Sequence, residues 1–294
     1  MKQRIAAVLA VLLFCVCAGC RRETSAPPAL SADASASAAQ AEPAPAPADA
    51  EPEADATEPP APAPEPTPTP EPTPAPYDFA WPVPESAAVD PAWFSDAAFI
   101  GDSIMVSLHW YCVNTDQLPG VEWLCSGSLS AHNALWDISD ESVHPEYNGV
   151  KTKLEDAVAD CGAKNVYIML GTNNISFGVD VAASEMEEMI DNILAQSPDV
   201  NILVMSVPPM TRTSTIWYDA LNNDRINEYN EAMRQICIER QWYFIDCGPM
   251  FRDGDGNLAR EYCSDPDDMG IHFTDAASQL WIDYLLTHVP EPLK

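Results

Sequence analysis

From residue 77 onward, short apolar runs alternate with longer amphipathic segments, and this alternation limits the possible folds more than any other feature of the sequence. A short apolar run between turn residues is typical of a strand buried on both faces, whereas an apolar stripe with a period near 3.6 residues is typical of a helix. The sequence predicts five strands, at residues 98–101, 121–126, 166–170, 202–207 and 243–247.

The amphipathic segments between and after these runs predict helices. A regular strand and helix order is typical of a parallel sheet with helices on both faces, because each crossover helix packs back on the sheet. We therefore predict a three-layer, flavodoxin-like α/β domain of about five parallel strands, whose active site lies beyond the carboxyl ends of the strands. The predicted helices are residues 104–111, 152–161, 181–196, 223–240 and 275–288.

The N-terminal end has the pattern of an export signal. Two basic residues, Lys2 and Arg4, precede an apolar run over residues 5–18, which is too short to cross a bilayer and long enough for a signal peptide. The run ends in Cys17-Ala-Gly-Cys20, which resembles the bacterial lipoprotein box. The resemblance implies a signal peptide at residues 1–19, acylation of Cys20, and an extracytoplasmic protein anchored to the membrane by lipid; an ordinary cleaved signal is the alternative.

Residues 20–76 have the composition of a linker. They consist mainly of Ala, Pro, Glu, Asp, Ser and Thr and contain no aromatic residue, so they cannot bury a core and are predicted to be disordered. Proline-rich chain extends about 3.1 Å per residue, so this linker could reach on the order of 100 Å. It resembles a stalk that carries a catalytic domain, residues 77–294, through a cell wall.

The charge of the predicted domain restricts its partners. Residues 77–294 contain 35 of the 45 acidic residues and 10 of the 14 Lys and Arg residues, which gives a net charge near −25. Such a surface repels nucleic acid and other polyanions, so we expect no nucleic acid partner and a neutral or cationic substrate. We also expect no cofactor, no metal and a monomer, although the sequence does not fix the oligomeric state.

The first motif with catalytic potential is Gly101-Asp102-Ser103, directly after the predicted strand 98–101. A serine at this point lies at the start of a helix, where backbone N–H groups without helical partners face the same space as its hydroxyl. Ser103 is therefore a candidate nucleophile. A serine at a helix start is also a common N-cap, which is the alternative for this position.

Two further motifs carry polar side chains beyond strand ends. Gly171-Thr172-Asn173-Asn174 follows the predicted strand 166–170; an asparagine amide there can donate a hydrogen bond to a developing oxyanion, or it can simply form a turn. The segment 265–274 precedes the last predicted helix and contains His272, whose near-neutral titration suits a general base.

These motifs together resemble the SGNH (GDSL) hydrolases. That family has Gly-Asp-Ser in its first block, Gly-x-Asn-Asp in its third, and Asp-x-x-His in its last. The resemblance implies that Ser103 is the nucleophile and His272 the base. It also implies an oxyanion hole formed by the N–H of Ser103, the N–H of Gly127 after the second strand, and the side chain of Asn173.

The sequence departs from the family at two positions. Asn174 replaces the usual Asp of the third block, and we expect it to be structural. Met269 occupies the position three residues before His272 where the family has its triad Asp. A one-residue bulge could bring Asp268 or Asp267 to the imidazole, or a backbone carbonyl could orient the ring in a Ser-His dyad; we take Asp268 as the candidate.

Other side chains carry weaker expectations. The six cysteines in residues 77–294 could form disulfides or pack as buried thiols. Trp217 and Tyr218 follow a strand-end loop and could border the cleft. Four further histidines are expected on the surface or in packing roles: His109, His132, His144 and His288. Several aromatic residues could line a sugar or acyl site, although most are expected in the core: Trp110, Trp123, Trp136, Trp217 and Tyr218.

The sequence thus predicts an extracytoplasmic serine esterase that forms an acyl-enzyme at Ser103. The predicted stalk makes O-acetyl esters on carbohydrates or cell-wall glycans the expected substrates, an expectation that comes from location and not from the site. Three alternatives stay open: a surface-binding protein of the same fold without the chemistry, an O-acyltransferase, and a lysophospholipase-type enzyme. The sequence does not give the acyl length or the acceptor.

Overall fold

The computed structural model describes residues 77–294, so the predicted signal peptide, the acylation of Cys20 and the whole predicted linker, residues 20–76, lie outside the described residues. Seven strands and six α-helices are found in the described part of the chain. In chain order they are β1 (Ala97–Gly101), α1 (Ser103–Thr115), β2 (Glu122–Cys125), α2 (Ala131–Ala134), β3 (Glu146–Tyr147), β4 (Val150–Lys151), α3 (Leu154–Cys161), β5 (Asn165–Met169), α4 (Val179–Gln196), β6 (Asn201–Met205), α5 (Asn223–Arg240), β7 (Tyr243–Ile245) and α6 (Asp275–Thr287).

The main sheet has five parallel strands in the order β2-β1-β5-β6-β7. Every residue of β1, β5 and β7 is buried, as expected for strands whose two faces are both covered. Phe99 on β1 lies opposite Tyr167 on β5, and the two rings stack with centroids 4.6 Å apart. The predicted parallel sheet is confirmed.

The helices lie in two groups, as a three-layer fold requires. α3 packs on α4 and α4 packs on α5, whereas α1 packs on α6. The longest helices owe their contacts to an apolar stripe with helical spacing. On α4 this stripe consists of Ala182, Ala183, Met186, Met189, Ile190 and Ile193. The predicted α/β fold with helices on both faces of the sheet is therefore confirmed.

The register of the central strands places three loops at one edge of the sheet. Gly101, the last residue of β1, lies opposite Cys125 at the end of β2 and Met169 at the end of β5. The segments that follow these three residues therefore leave the sheet side by side. They contain the predicted nucleophile, the predicted oxyanion glycine and the predicted oxyanion asparagine.

The predictions missed the elements between β2 and α3. The helix α2 is a single turn held by a capping box, in which Ser130 and Asn133 satisfy each other's backbone N–H groups. The hairpin of β3 and β4 has only two residues per strand. Elements this short contain too few residues to show a period.

The cysteines of residues 77–294 form no disulfide bonds, and the helices of this range are not membrane spans. All six cysteines in this range are free thiols, so the disulfide alternative is wrong for the described residues. Burial raises the pKa of the Cys112, Cys237 and Cys247 thiols to about 12, which keeps them protonated. None of the helices in this range has the length and apolar character needed to cross a bilayer.

Candidate active site

Ser103 is the first residue of α1, and its hydroxyl is not used to cap the helix. The N-cap is Asp102, whose Oδ1 accepts a hydrogen bond of 2.9 Å from the N–H of Ile104. Because Asp102 performs the capping, the Ser103 hydroxyl is left for another partner. That partner is His272, whose Nε2 lies 3.0 Å from Ser103 Oγ.

The carboxylate beside His272 is Asp265, and the prediction of Asp268 is wrong. His272 Nδ1 lies 2.7 Å from Asp265 Oδ2. Asp268 is exposed, and its side chain makes no hydrogen bond among the described residues. Ser103, His272 and Asp265 therefore form the chain of contacts that a Ser-His-Asp triad requires.

A closed turn explains why a residue seven positions before the histidine reaches its ring. The carbonyl oxygen of Asp265 accepts hydrogen bonds from the N–H groups of Asp268 and Gly270, at 2.9 and 3.0 Å. Its Oδ1 accepts from the N–H groups of Ile271 and His272, both at 3.2 Å. The chain thus returns to Asp265, while the intervening residues form the outside of the turn.

The ionisation of Asp265 suits a triad carboxylate. Burial by itself would raise the pKa of this carboxyl group, but hydrogen bonds from His272 and from the Cys263 thiol outweigh burial and hold the pKa below its ordinary value. The Cys263 Sγ lies 3.2 Å from Asp265 Oδ1. A carboxylate on Nδ1 fixes the imidazole tautomer that carries its proton there, so Nε2 can accept the proton of Ser103.

The loop after β6 fastens this turn in place. The N–H of Thr211 donates to the Gly270 oxygen at 2.8 Å, and Ser214 Oγ donates to the Met269 oxygen at 2.5 Å. The N–H of Thr215 donates to the oxygen of Asp268 at 2.7 Å. Asp268 therefore contributes to the site through its backbone, by anchoring the turn whose first residue is Asp265.

Asn173 lies beside Asp102, the residue that precedes Ser103. Its Nδ2 is 3.0 Å from the Leu129 oxygen and 3.3 Å from Asp102 Oδ2. The first contact orients the amide. The second joins Asn173 to the residue before Ser103. The role of Asn173 as an oxyanion donor stays a prediction.

Gly171 allows the chain to bring Asn173 to this edge. Its φ is +154°, and a Cβ added there would lie 2.6 Å from Tyr229 Cε1 and 2.8 Å from Val207 Cγ2. Tyr229 is itself fixed, because its hydroxyl donates to the Leu170 oxygen at 2.9 Å. A side chain at position 171 would displace one of these neighbours.

Gly127 lies in the exposed turn after β2, at the same edge of the sheet. The N–H of the preceding Ser126 donates to the Gly101 oxygen at 3.2 Å, which ties this turn to the end of β1. No hydrogen bond from the N–H of Gly127, or from the N–H of Ser103, is found within residues 77–294. The role of Gly127 in an oxyanion hole stays a prediction.

A second histidine, His132, is linked through Glu185 to Asn174, the neighbour of Asn173, although the sequence predicted only a surface or packing role for it. His132 Nδ1 lies 2.6 Å from Glu185 Oε1, and Glu185 Oε2 accepts from Asn174 Nδ2 at 3.0 Å. Asn174 is fully buried, which fits its predicted structural role. No spacing rule relates a one-turn helix to α4, so the sequence contained no signal for this pairing.

The other predicted aromatic residues are distributed over the molecule. Trp123 stacks on His109, and Trp110 is exposed on α1. The Arg212 guanidinium carbon lies over the Trp217 ring, 4.7 Å from the ring centroid. Both residues line a surface cavity of about 610 Å³, and no triad residue lines that cavity. Trp136 is exposed next to His132. In residues 77–294, no group of three or more potential ligands is arranged to hold a metal ion.

A serine hydroxyl on an imidazole, held by a carboxylate at the carboxyl edge of a parallel sheet, is the arrangement of serine-dependent acyl hydrolases. Residues 99–280 match the model of the GDSL-like lipase/acylhydrolase family. The chain belongs to this family, as the resemblance to SGNH hydrolases predicted, and it is a carboxylic-ester hydrolase. A comparison with curated protein sequences gave no match.

Solved structures of other proteins are similar to this chain, and the first of those described next shares its fold. An acylhydrolase from Bacteroides fragilis superposes with a TM-score of 0.52 at 14% identity, over 67% of this chain and 88% of that chain. A GDSL-like lipase from Bacteroides thetaiotaomicron gives 0.49 at 16% identity, over 65% and 84%. The C-terminal catalytic domain of peptidoglycan O-acetyltransferase A from Streptococcus pneumoniae gives 0.44 at 14% identity, over 70% and 93%.

Proposed function

We propose that the protein is an extracytoplasmic serine esterase that removes O-acetyl groups from carbohydrates, cell-wall glycans among them. The observation that carries this proposal is the unbroken series of contacts from Ser103 Oγ to His272 Nε2 at 3.0 Å and from His272 Nδ1 to Asp265 at 2.7 Å. Such contacts activate a hydroxyl for attack on an ester carbonyl.

In the first half of the reaction, Ser103 Oγ bonds to the carbonyl carbon while its proton passes to His272 Nε2. The carbonyl oxygen becomes an oxyanion, which the N–H of Ser103, the N–H of Gly127 and the Asn173 amide stabilise. The bond to the alcohol oxygen then breaks. The leaving alcohol takes the proton from His272, and an acetyl ester remains on Ser103.

In the second half, water replaces the alcohol. His272 Nε2 accepts a proton as the water oxygen bonds to the acetyl carbon, and it returns that proton to Ser103 Oγ when the acyl bond breaks. Acetate leaves and the serine is restored. Asp265, whose pKa lies below its ordinary value, stays ionised and stabilises the imidazolium in both halves.

The choice of a neutral glycan ester rests on charge and on the N-terminal sequence. A net charge near −25 on residues 77–294 disfavours polyanionic substrates. A signal peptide at residues 1–19, a lipid on Cys20 and an extended linker to residue 76 would hold the enzyme outside the cytoplasm, within reach of surface glycans.

Acetate release tests the activity. The full chain, purified in detergent, is incubated with O-acetylated peptidoglycan and with acetylated xylan, and Ser103→Ala serves as the matched control. We expect release by the native chain and none above background by the variant. If the chain released acetate from neither polymer but still hydrolysed ethyl acetate, the proposed glycan substrate would be wrong and the esterase activity would stand. Appearance of acetylated sugar acceptors in place of free acetate would indicate transfer.

A separate experiment tests the anchor. Cells that express the full chain are labelled with a fatty acid that can be detected on protein, beside cells that express Cys20→Ala. We expect label on the native chain only, in the membrane fraction. Equal labelling of both, or none on either, would contradict acylation of Cys20.

The alternative of a surface-binding protein without hydrolase activity has lost its main support. It rested on Met269 at the position of the family's acid. Because Asp265 supplies the carboxylate to His272, the substitution at position 269 leaves the triad complete.

A further inference from the structure

Three side chains on two neighbouring segments form a small exposed patch beside the candidate site. The patch consists of His132 on α2, Trp136 just after α2, and Phe177 on the 3-10 helix Ile175–Phe177. The His132 ring makes edge contacts with both neighbours, with centroids 5.5 Å from Trp136 and 5.1 Å from Phe177. Trp136 is 49% exposed and Phe177 59% exposed.

The patch is joined to the oxyanion asparagine on both sides. Phe177 lies four residues after Asn173, and α2 begins two residues after Leu129, whose oxygen accepts from the Asn173 amide at 3.0 Å. Glu185 ties the two segments together, because it accepts from Asn174 at 3.0 Å and contacts His132 at 2.6 Å. These links tie both segments of the patch to the neighbourhood of Asn173.

The orientation of His132 leaves one of its ring nitrogens without a hydrogen-bond partner within residues 77–294. Its Nδ1 is engaged by Glu185, whereas its Nε2 makes no hydrogen bond within residues 77–294. The side chain is 39% exposed. The carboxylate thus fixes the ring in advance of binding, and Nε2 is available to a hydroxyl group.

We infer that this patch binds the sugar ring that carries the ester, next to the reacting carbonyl. A pyranose has one face of C–H groups, which packs on aromatic rings whose faces are electron-rich, and hydroxyls at its edge, which can reach His132 Nε2. An apolar acyl chain fits less well, because such ligands are bound in enclosed pockets and these rings are half exposed. The acidic domain surface also favours a neutral ligand.

This inference rests on the proposed function and specifies which surface recognises the glycan. The test measures binding separately from hydrolysis. The full chain, Trp136→Ala and Phe177→Ala are titrated by calorimetry with xylo-oligosaccharides and chito-oligosaccharides that carry no O-acetyl ester. Trp110→Ala is the matched control, because Trp110 is also exposed, at 58%, but lies on α1 away from the patch.

We expect at least one oligosaccharide to bind, and Trp136→Ala to raise its Kd about tenfold, which corresponds to about 1.4 kcal/mol. Trp110→Ala should bind as the native chain does. On an acetylated oligosaccharide, the loss of kcat/KM in Trp136→Ala should exceed its loss on ethyl acetate by a similar factor. Phe177→Ala should show the same preference, and a normal unfolding transition shows that either variant is folded.

The possible results separate the two proposals. If oligosaccharide binding depended on Trp136 but no glycan released acetate, the sugar site would be supported and the proposed glycan ester substrate would be contradicted. Acetate release with equal Kd values for Trp136→Ala and Trp110→Ala would keep the esterase and overturn the sugar site. The absence of binding to every oligosaccharide would also overturn it, as would equal losses on the acetylated oligosaccharide and on ethyl acetate.

Discussion

Replacing Asp265 by asparagine should remove most of the catalysis while leaving the fold intact. Asparagine keeps an oxygen that can accept from the N–H groups of Ile271 and His272, as Oδ1 of Asp265 does at 3.2 Å. It loses the negative charge that lies 2.7 Å from His272 Nδ1. If the amide N–H faces the ring, the imidazole takes the tautomer with its proton on Nε2 and cannot accept from Ser103.

The size of the effect follows from the charge that forms on His272 in the transition state. Two unit charges about 4 Å apart attract by roughly 4 kcal/mol at an effective dielectric of 20. The two side chains are 26% and 20% exposed, so solvent screening reduces this attraction. Since each 1.36 kcal/mol is tenfold in rate, and since the wrong tautomer adds to the loss, we expect kcat to fall on the order of 10³-fold.

Asp268→Asn is the matched control, because Asp268 differs in position by three residues and acts only through its backbone. Hydrolysis of ethyl acetate is followed for the native chain and both variants, together with thermal unfolding. Asp268→Asn should stay within about twofold of the native rate, as exposed substitutions usually do. The assignment of Asp265 would be refuted if the folded Asp265→Asn kept more than a tenth of native kcat, or if Asp268→Asn lost as much.

Four further predictions follow from the site. Asn173→Ala should lower kcat by roughly 10²- to 10³-fold in the same assay, as loss of one oxyanion donor does elsewhere; an unchanged kcat would contradict that role. Gly171→Ala should lower the free energy of unfolding by about 1–3 kcal/mol through overpacking, measured by urea denaturation. Burial raises the pKa of Asp102 from 3.8 to about 6, so the native state holds that proton more tightly than the unfolded chain. The free energy of unfolding of the native chain should therefore fall, relative to that of Asp102→Asn, as the pH rises from 3.8 to about 6. Parallel curves of unfolding free energy against pH for the two proteins would contradict this. Cys263→Ala removes a hydrogen bond that lowers the pKa of Asp265, so the pKa of that carboxyl group, followed by NMR of the labelled carboxyl carbon, should rise, and an unmoved pKa would exclude this contribution.

The layered fold follows from local sequence patterns, and these could be read without a structure. Each central strand is a short apolar run because both of its faces are covered, and each long helix has an apolar stripe because only one face is covered. The predicted strands and long helices therefore agree with the structure to within a few residues at each end. The short α2 and the β3–β4 hairpin were missed because a period cannot be recognised in two to four residues.

The sequence by itself also determined three of the four side chains that meet at the site. Ser103, Asn173 and His272 each occupy a recognisable position relative to a strand or helix, and parallel strands bring such positions to one edge. The contact between Ser103 and His272 is the one expected from the motifs, and the oxyanion role of Asn173 stays a prediction. What the sequence could not decide is the fourth side chain, the carboxylate on His272.

Only the tertiary structure assigned Asp265, and the reason is that turns are not periodic. Residues 265–272 are closed by hydrogen bonds to one carbonyl and one carboxylate oxygen of Asp265, and by donors from the loop after β6, more than fifty residues earlier in the chain. The same holds for the contact between His132 and Glu185, which joins two helices that the sequence does not relate. Spacing along the chain located the nucleophile and its base, whereas folding selected the groups that orient them.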